Sequence, residues 1–338
     1  MSRVVCFGEL LLRMSAPGRE LLLQQPQLVV HAGGAEANVG VSLAHLGHAV
    51  AAVSTVPANP LGEFALGELR RHGVDTTAVR RTEGRMGLYF LTTGAVQRAS
   101  EVVYDRADSA FANSSASDYD WDTLLAGADW LHLSGVSPAL NPAMAQATLA
   151  AARAACARGV KVSFDGNFRP SLWARWQGDA PGILRELFAC ADLVFADYRD
   201  IGVVLGGEFK QAEVRERVDA AAAQAFTAFP RLQWMACTQR TPHSVDNHAL
   251  GAMLIGRDGT RAVAPTREMI GIVDRIGGGD AFAAGILHGM MRGFAPDAIV
   301  RFGLAAGCLK HSIPGDFNPV SEADIMALTG EERFDVRR

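Results

Sequence analysis

Lysine is nearly absent. Of 32 basic residues only Lys161, Lys210 and Lys310 are lysines, and the other 29 are arginines. None of the three follows glycine and precedes Ser or Thr, which excludes a GK[ST] phosphate loop. Cysteine is sparse as well: five residues, an odd number with no CxxC spacing, argue against a disulfide scaffold or a Cys-rich zinc site and point to a reducing cytoplasm. No run of about 20 apolar residues occurs, so no membrane span is expected. Glu9 comes too early for a signal peptide, and Val4–Phe7 reads instead as a first strand. A net charge of −4 gives no general attraction to nucleic acid or to an anionic membrane face. Neither HExxH nor GxSxG occurs, and no GxGxxG follows the first strand, which removes zincin, Ser-hydrolase and dinucleotide-binding readings.

What is present is a globular α/β pattern. With 338 residues and 49% hydrophobic composition, the chain can bury a large core. Strand-like runs occur at Val4–Phe7, Val50–Val56, Trp130–Ser134, Val160–Asp165, Leu193–Ala196 and Trp234–Thr238. Helical periodicity lies between them at Ala35–Leu46, Leu61–Arg71, Asn141–Ala157, Ala180–Cys190 and Ala212–Phe226, with Asn59-Pro60 as an N-cap and first helical residue. This alternation predicts a three-layer α/β/α sandwich around a mainly parallel sheet. Two segments break the rhythm, Leu21–His31 and Met86–Arg106, where short strands have no following helix. They predict a small β-sheet inserted at about residues 12–32 and 86–108, placed to act as a lid on a single domain spanning 1–338.

The chemistry concentrates in two glycine-rich helix starts. In Asp274-Arg275-Ile276-Gly277-Gly278-Gly279-Asp280, three glycines run into an apolar helix. Glycines let backbone N–H groups approach a ligand closely, and a helix start leaves amides unpaired, so together they form an anion site. Asp280 there could accept a hydroxyl proton while the amides stabilise a transferring phosphoryl group. Asp280 as a plain helix cap is the competing reading. Near the N-terminus, Gly33-Gly34-Ala35-Glu36-Ala37-Asn38 opens a second helix, which ends at Leu46-Gly47.

Taken together, Gly-Gly-x-x-x-Asn and Gly-x-Gly-Asp, in this order and at this separation, resemble the paired signatures of ribokinase-like (PfkB-type) sugar kinases over essentially the whole chain. The resemblance implies a parallel α/β/α sandwich with a β lid, ATP as phosphoryl donor held without a P-loop lysine, Asp280 as catalytic base, and Gly277, Gly278 and Gly279 as the anion hole. Arg275 departs from the Thr, Pro or Val common at its position.

Three further pieces resemble the 2-keto-3-deoxygluconate kinase branch: Tyr89, Tyr104-Asp105-Arg106, and Asp165-Gly166-Asn167-Phe168-Arg169 followed by Leu172-Trp173. This likeness implies that Tyr89, Tyr104, Arg106 and Arg169 hold a sugar acid, with Gly34 and Asn38 on its hydroxyls and Asp316 of Ile313-Pro314-Gly315-Asp316 also at the substrate. Arginine suits bidentate carboxylate binding. Asp197 and Asp200 stand where the family often has Asn-x-x-Glu, and could order hydrated Mg²⁺ through water. Thr238, Arg240 and Ser244 are candidates for the ATP phosphates. The expected activity is therefore ATP- and Mg²⁺-dependent phosphorylation of a small-molecule sugar acid. The rivals are a fructokinase or other ribokinase-type enzyme and a non-catalytic sugar-acid sensor. Apolar lid strands suggest a homodimer or larger homo-oligomer formed through the lid.

Overall fold

A computed structural model describes residues 2–330; Met1 and 331–338 of the expected single domain lie outside the described residues. Thirteen strands form two sheets. The large one contains β1 (Arg3–Phe7), β4 (Ala49–Pro57), β5 (Val79–Thr82), β8 (Trp130–Ser134), β9 (Lys161–Asp165), β10 (Leu193–Phe195), β11 (Trp234–Pro242), β12 (Asn247–Gly256) and β13 (Arg261–Ile270). Its order is β13-β12-β11-β10-β9-β8-β1-β4-β5, parallel from β11 to β5. The small one contains β2 (Leu11–Ser15), β3 (Val29–Gly33), β6 (Gly87–Thr92) and β7 (Glu101–Asp105), in the order β3-β2-β6-β7.

Both faces of the large sheet are covered, and the strand sequences show why. Successive side chains of a strand point to opposite faces. Val5, Phe7, Leu131, Leu133, Val162, Phe164 and Val194 enter one core with helices Pro142–Ala157, Ala180–Cys190 and Val214–Ala228. Val4, Cys6, Trp130, Leu193 and Phe195 enter a second core with helices Ala35–His45, Gly278–Met291 and Pro296–Lys310. Each buried Val, Leu or Phe contributes about 1.5–3 kcal/mol relative to exposure. Helix starts follow their caps: Asn59 Oδ1 accepts the Leu61 and Gly62 amides at 3.0 and 3.2 Å, and Asn141 Oδ1 accepts Met144 N at 2.9 Å.

Two features depart from the sequence reading. First, β12 and β13 form an antiparallel edge on an otherwise parallel sheet. The two strands are joined through Arg257-Asp258-Gly259-Thr260, with Gly259 at φ 89°, a hairpin signal that the helix-strand rhythm concealed. Second, the first inserted strand pair is Leu11–Ser15 with Val29–Gly33, whereas residues 21–28 are turn and irregular chain. Pro17, Gly18 and Pro26 interrupt any continuous ladder there. Among the described residues no helix is long and apolar enough to cross a membrane.

Candidate active site

The cleft lies where the small sheet overhangs the ends of the parallel strands and the starts of helices 35–45 and 278–291. Its cavity measures about 440 Å³ and is lined by residues from nearly the full length of the chain, from Glu9 to Asp316.

The floor is the start of helix Gly278–Met291. Gly277 caps it in the left-handed region at φ 83°, and a side chain there would run within 2.1 Å of the Asp316 carbonyl oxygen. Only glycine meets both conditions. A Cβ at Gly278 would fall 2.7 Å from the His311 ring, whereas Gly279 opens onto free space. Asp274 shapes the turn leading in, with Oδ1 accepting Ile276 N at 3.0 Å and Oδ2 accepting Gly315 N at 3.0 Å. Gly278 N donates to the Arg275 carbonyl oxygen at 3.2 Å, so of the first helical amides it is those of Gly279 and Asp280 that present a positive end to the cleft.

Asp280 stands in this first turn and accepts a 2.7 Å hydrogen bond at Oδ2 from Asn38 Nδ2. Burial pushes its carboxyl up to about 7, against the Asn38 bond and with help from the charges of Asp316 and Glu36. Such a carboxylate can take up a proton near neutral pH. Gly34, at φ 146°, lets the chain pass so close that a Cβ there would fall 2.2 Å from the Glu9 carbonyl oxygen, and so brings helix 35–45 and Asn38 to the cleft. Glu36, in the first turn of that helix, is 2% exposed; its Oε1 accepts Ser134 Oγ at 2.7 Å, Ser134 N at 3.1 Å and Ser137 Oγ at 3.2 Å.

The roof is the small sheet. Cross-strand pairing sets Tyr89 opposite Tyr104, with ring centroids 6.0 Å apart. Tyr89 is buried and donates to Asp316 Oδ2 at 2.5 Å, whereas Tyr104 is 46% exposed. Arg106 is buried, and its Nε donates to Glu9 Oε2 at 2.8 Å, with a second bond from Nη2 to the same oxygen. Ser109 Oγ donates to the other Glu9 oxygen at 2.5 Å. Much of the Arg106 charge is thus already answered. Arg169 is different. The turn Asp165-Gly166-Asn167, with Asn167 at φ 35° and its amide on Asp165 Oδ1 at 3.1 Å, throws Arg169 onto the cleft rim. There it is exposed and bonds only the Phe168 carbonyl oxygen, with no carboxylate partner among the described residues.

All of Asp280, Gly277, Gly279, Gly34, Asn38, Tyr89, Tyr104, Arg106, Arg169 and Asp316 line this one cleft. Gly278 lies beneath, against His311. Of the phosphate candidates, Arg240 lines the cleft; Thr238 does not, and Ser244 lines a neighbouring concavity, where it donates to Asp246 Oδ1 at 2.9 Å. Asp197 also departs from expectation. Its two oxygens cap helix Tyr198–Leu205 and pair with Arg199, so it is occupied as a cap. Asp200 instead accepts the Asp197 amide at 2.9 Å, and burial pushes its carboxyl up to about 6. Asp165, raised to about 8 by burial and by the charges of Asp280 and Asp200, sits close enough to share their field. Among the described residues no three His, Cys, Asp or Glu side chains converge as a ready metal cage.

Sequence reasoning missed a buried charge cluster beneath the site. Arg13, 2% exposed, reaches Asp274 at 2.6 Å and Asp316 at 3.2 Å. Lys310 is 0% exposed beside them. The available signal was a lone charge inside an apolar run, in Leu10-Leu11-Leu12-Arg13 and in Ala305-Ala306-Gly307-Cys308-Leu309-Lys310.

A glycine-amide floor, a half-buried carboxylate and an open arginine facing it are the parts of a phosphotransferase. A profile described as pfkB family carbohydrate kinase matches residues 1–323. The chain belongs to this family. As a carbohydrate kinase it uses ATP as phosphoryl donor. Among characterised relatives of this kinase, 2-dehydro-3-deoxygalactonokinase of Haloferax volcanii is 29% identical over 324 residues, covering 96% of this chain and 95% of the relative. 2-Dehydro-3-deoxygluconokinase of Bacillus subtilis is 28% identical over 308 residues, covering 87% and 85%. The crystal structure of 2-dehydro-3-deoxygluconokinase from Thermotoga maritima superposes on the kinase with a TM-score of 0.92 at 37% identity, covering 97% of this chain and 99% of that one.

Proposed function

We propose that this kinase transfers the γ-phosphoryl group of ATP to the terminal primary hydroxyl of 2-keto-3-deoxygluconate, giving the 6-phosphate. The carrying observation is that one cleft holds both Asp280, at the helix start, and Arg169, charged and without a carboxylate partner. Asp280 takes the proton as the hydroxyl oxygen attacks phosphorus in line with the departing ADP oxygen. Amides of Gly277 and Gly279 stabilise charge on the phosphoryl oxygens, while the Gly278 amide, bonded to the Arg275 carbonyl oxygen, holds the turn. Asn38 holds the Asp280 carboxylate in place and shares the sugar hydroxyls with Gly34, Tyr104 and Asp316. Arg169, with the edge of Arg106 that Glu9 leaves free, binds the sugar carboxylate. Arg240 is the side chain best placed for the ATP phosphates.

Asp165 lines the cleft and Asp200 packs against Gly166 next to it, so these two oxygen donors would suit a hydrated Mg²⁺ held mainly through water. When bound, Mg²⁺ would offset negative charge on the phosphate oxygens. The names of the H. volcanii and B. subtilis relatives bracket the substrate between two sugar acids that differ only in configuration, so the class is supported more strongly than the epimer. Five cysteines without CxxC spacing fit a cytoplasmic enzyme. Val30 and Val103 are exposed on the face of the small sheet opposite Tyr89 and Tyr104, and a second copy of the chain would cover them. A single monomeric species in sedimentation at micromolar concentration would remove that assignment.

The deciding experiment measures ADP release with 2-keto-3-deoxygluconate, its galactonate epimer, fructose, ribose and adenosine. Preference for a sugar acid by at least tenfold in kcat/KM is expected. Preference for fructose or ribose would discard the carboxylate role of Arg169, and no turnover of any sugar, with retained binding, would favour a sensor.

A further inference from the structure

We propose that Lys310 is a positioning residue for phosphoryl transfer, its buried ammonium lying beneath the Gly277–Gly279 turn and fixing the chain that wraps it. The proposal rests on the reading above in which that turn receives the transferring phosphoryl group.

Lys310 ends helix Pro296–Lys310, and its side chain runs inward with no exposed surface. Its Cε lies 3.3 Å from where a Gly277 Cβ would stand, directly under the cap of the anion hole. Its Nζ donates to the Ile313 carbonyl oxygen at 2.8 Å. That bond tightens the segment 310–316 around the turn 273–277. The same two stretches are stitched by Val273 N and Asp274 N on the His311 carbonyl oxygen, at 2.9 and 3.2 Å, and by Gly315 N on Asp274 Oδ2 at 3.0 Å.

Charge supplies the second half of the argument. Asp274 and Asp316 are answered by Arg13, and Lys310 lies in the field of both carboxylates and of Asp280. Burial lowers its ammonium to about 8 while Asp274 and Asp316 hold it up. Without Lys310, one cation would face two carboxylates immediately below a site that must accept an incoming anion. In a water-poor environment that imbalance acts on the transferring group with little screening. Lys310 touches no reacting atom in this arrangement; it acts through the turn and through the potential there.

The test compares wild type, Lys310→Met and Lys310→Ala in steady-state phosphorylation of the best substrate from the screen. Met keeps the length of the side chain without its charge. Folding is checked by circular dichroism and elution volume. Lys310→Met is expected to lose on the order of 10²-fold in kcat, with KM for the sugar changed by less than about fivefold. In Lys310→Ala, methylammonium should restore kcat at least about tenfold, and tetramethylammonium, too large for the vacated space, should not. A purely structural lysine would show no such selective rescue. A Lys310→Met kcat within threefold of wild type would overturn the proposal, as would a folded Lys310→Ala enzyme that the two ammonium ions affect equally. A wild type inactive on every sugar would strike the functional reading itself, before any variant is compared.

Discussion

Arg106 and Arg169 on the cleft and Arg13 beneath it differ in everything except charge. Arg13 and Arg106, from the small sheet side, are buried and tied to carboxylates, Arg13 to Asp274 and Asp316, Arg106 to Glu9. Arg169, from the body, is exposed on the rim and bonds only a neighbouring carbonyl. A buried cation that loses its partner costs several kcal/mol, so the first two are parts of the frame. An exposed cation costs little to keep ready, and Arg169, like Arg240 and Arg275 on the same lining, keeps a hydrogen-bonding edge that a ligand anion can claim. The small sheet thus contributes shape, tyrosines and a half-spent arginine, while the body contributes both the base and the open charge.

The largest expected effect of testing this contrast comes from Arg13→Met. Leaving Asp274 and Asp316 buried without their cation should destabilise the protein by about 3–5 kcal/mol, read from urea unfolding. A loss under about 1 kcal/mol would show that water reaches the cluster and would erase the distinction between frame and reader.

Arg169→Ala should do the reverse. Its effect on unfolding is expected within about 0.5 kcal/mol, while KM for the sugar acid rises roughly 10- to 100-fold through loss of a charge-assisted pair. Equal rises for a neutral sugar would mean that Arg169 serves ATP instead.

The smaller effect on stability lies in its pH dependence. Asp280, raised to about 7, binds its proton more tightly in the folded than in the unfolded chain. Its contribution to stability is greatest below about pH 4 and is lost as pH rises through 7. Asp280→Asn, which is expected to lose roughly 10²- to 10⁴-fold in kcat, should therefore be more stable than wild type at pH 8, by on the order of 2 kcal/mol, with the gap closing near pH 4. The wild-type kcat/KM should rise with pH through about 7, since only the carboxylate can accept the proton. A flat profile between pH 5.5 and 8.5 would reject Asp280 as the group that titrates.

The contiguous parts of this molecule were legible because local chemistry sufficed. The glycines at 277–279 preceding Asp280, and the turn at Gly33-Gly34 preceding Asn38, announce helix starts through residue type alone. Strand–helix alternation likewise led to the layered sheet now seen, and Asn59 and Asn141 cap the helices they precede. The antiparallel β12–β13 edge was missed because long apolar runs do not state their direction; only the Asp258-Gly259 turn did. Arg13 was missed for another reason. Nothing near it in sequence explains a charge among leucines, since its partners lie hundreds of positions later. Asp197 was ambiguous because a helix cap and a metal-ordering carboxylate call for the same residue type, and the structure shows its oxygens on the Arg199 amide and guanidinium.

The bonds that complete the cleft join Asn38 to Asp280 across 242 positions, Tyr89 to Asp316 across 227, and Arg13 to Asp274 across 261. Such separations make closure of the site a late and slow event in folding, because chain entropy must be lost before any of these contacts can repay it. A nascent chain that has reached only residue 270 holds the whole small sheet but neither carboxylate that neutralises Arg13. That sheet cannot settle until the final helices arrive. Recovery of kinase activity after dilution from denaturant should then lag behind recovery of helical signal, making catalysis the most stringent report of a finished fold.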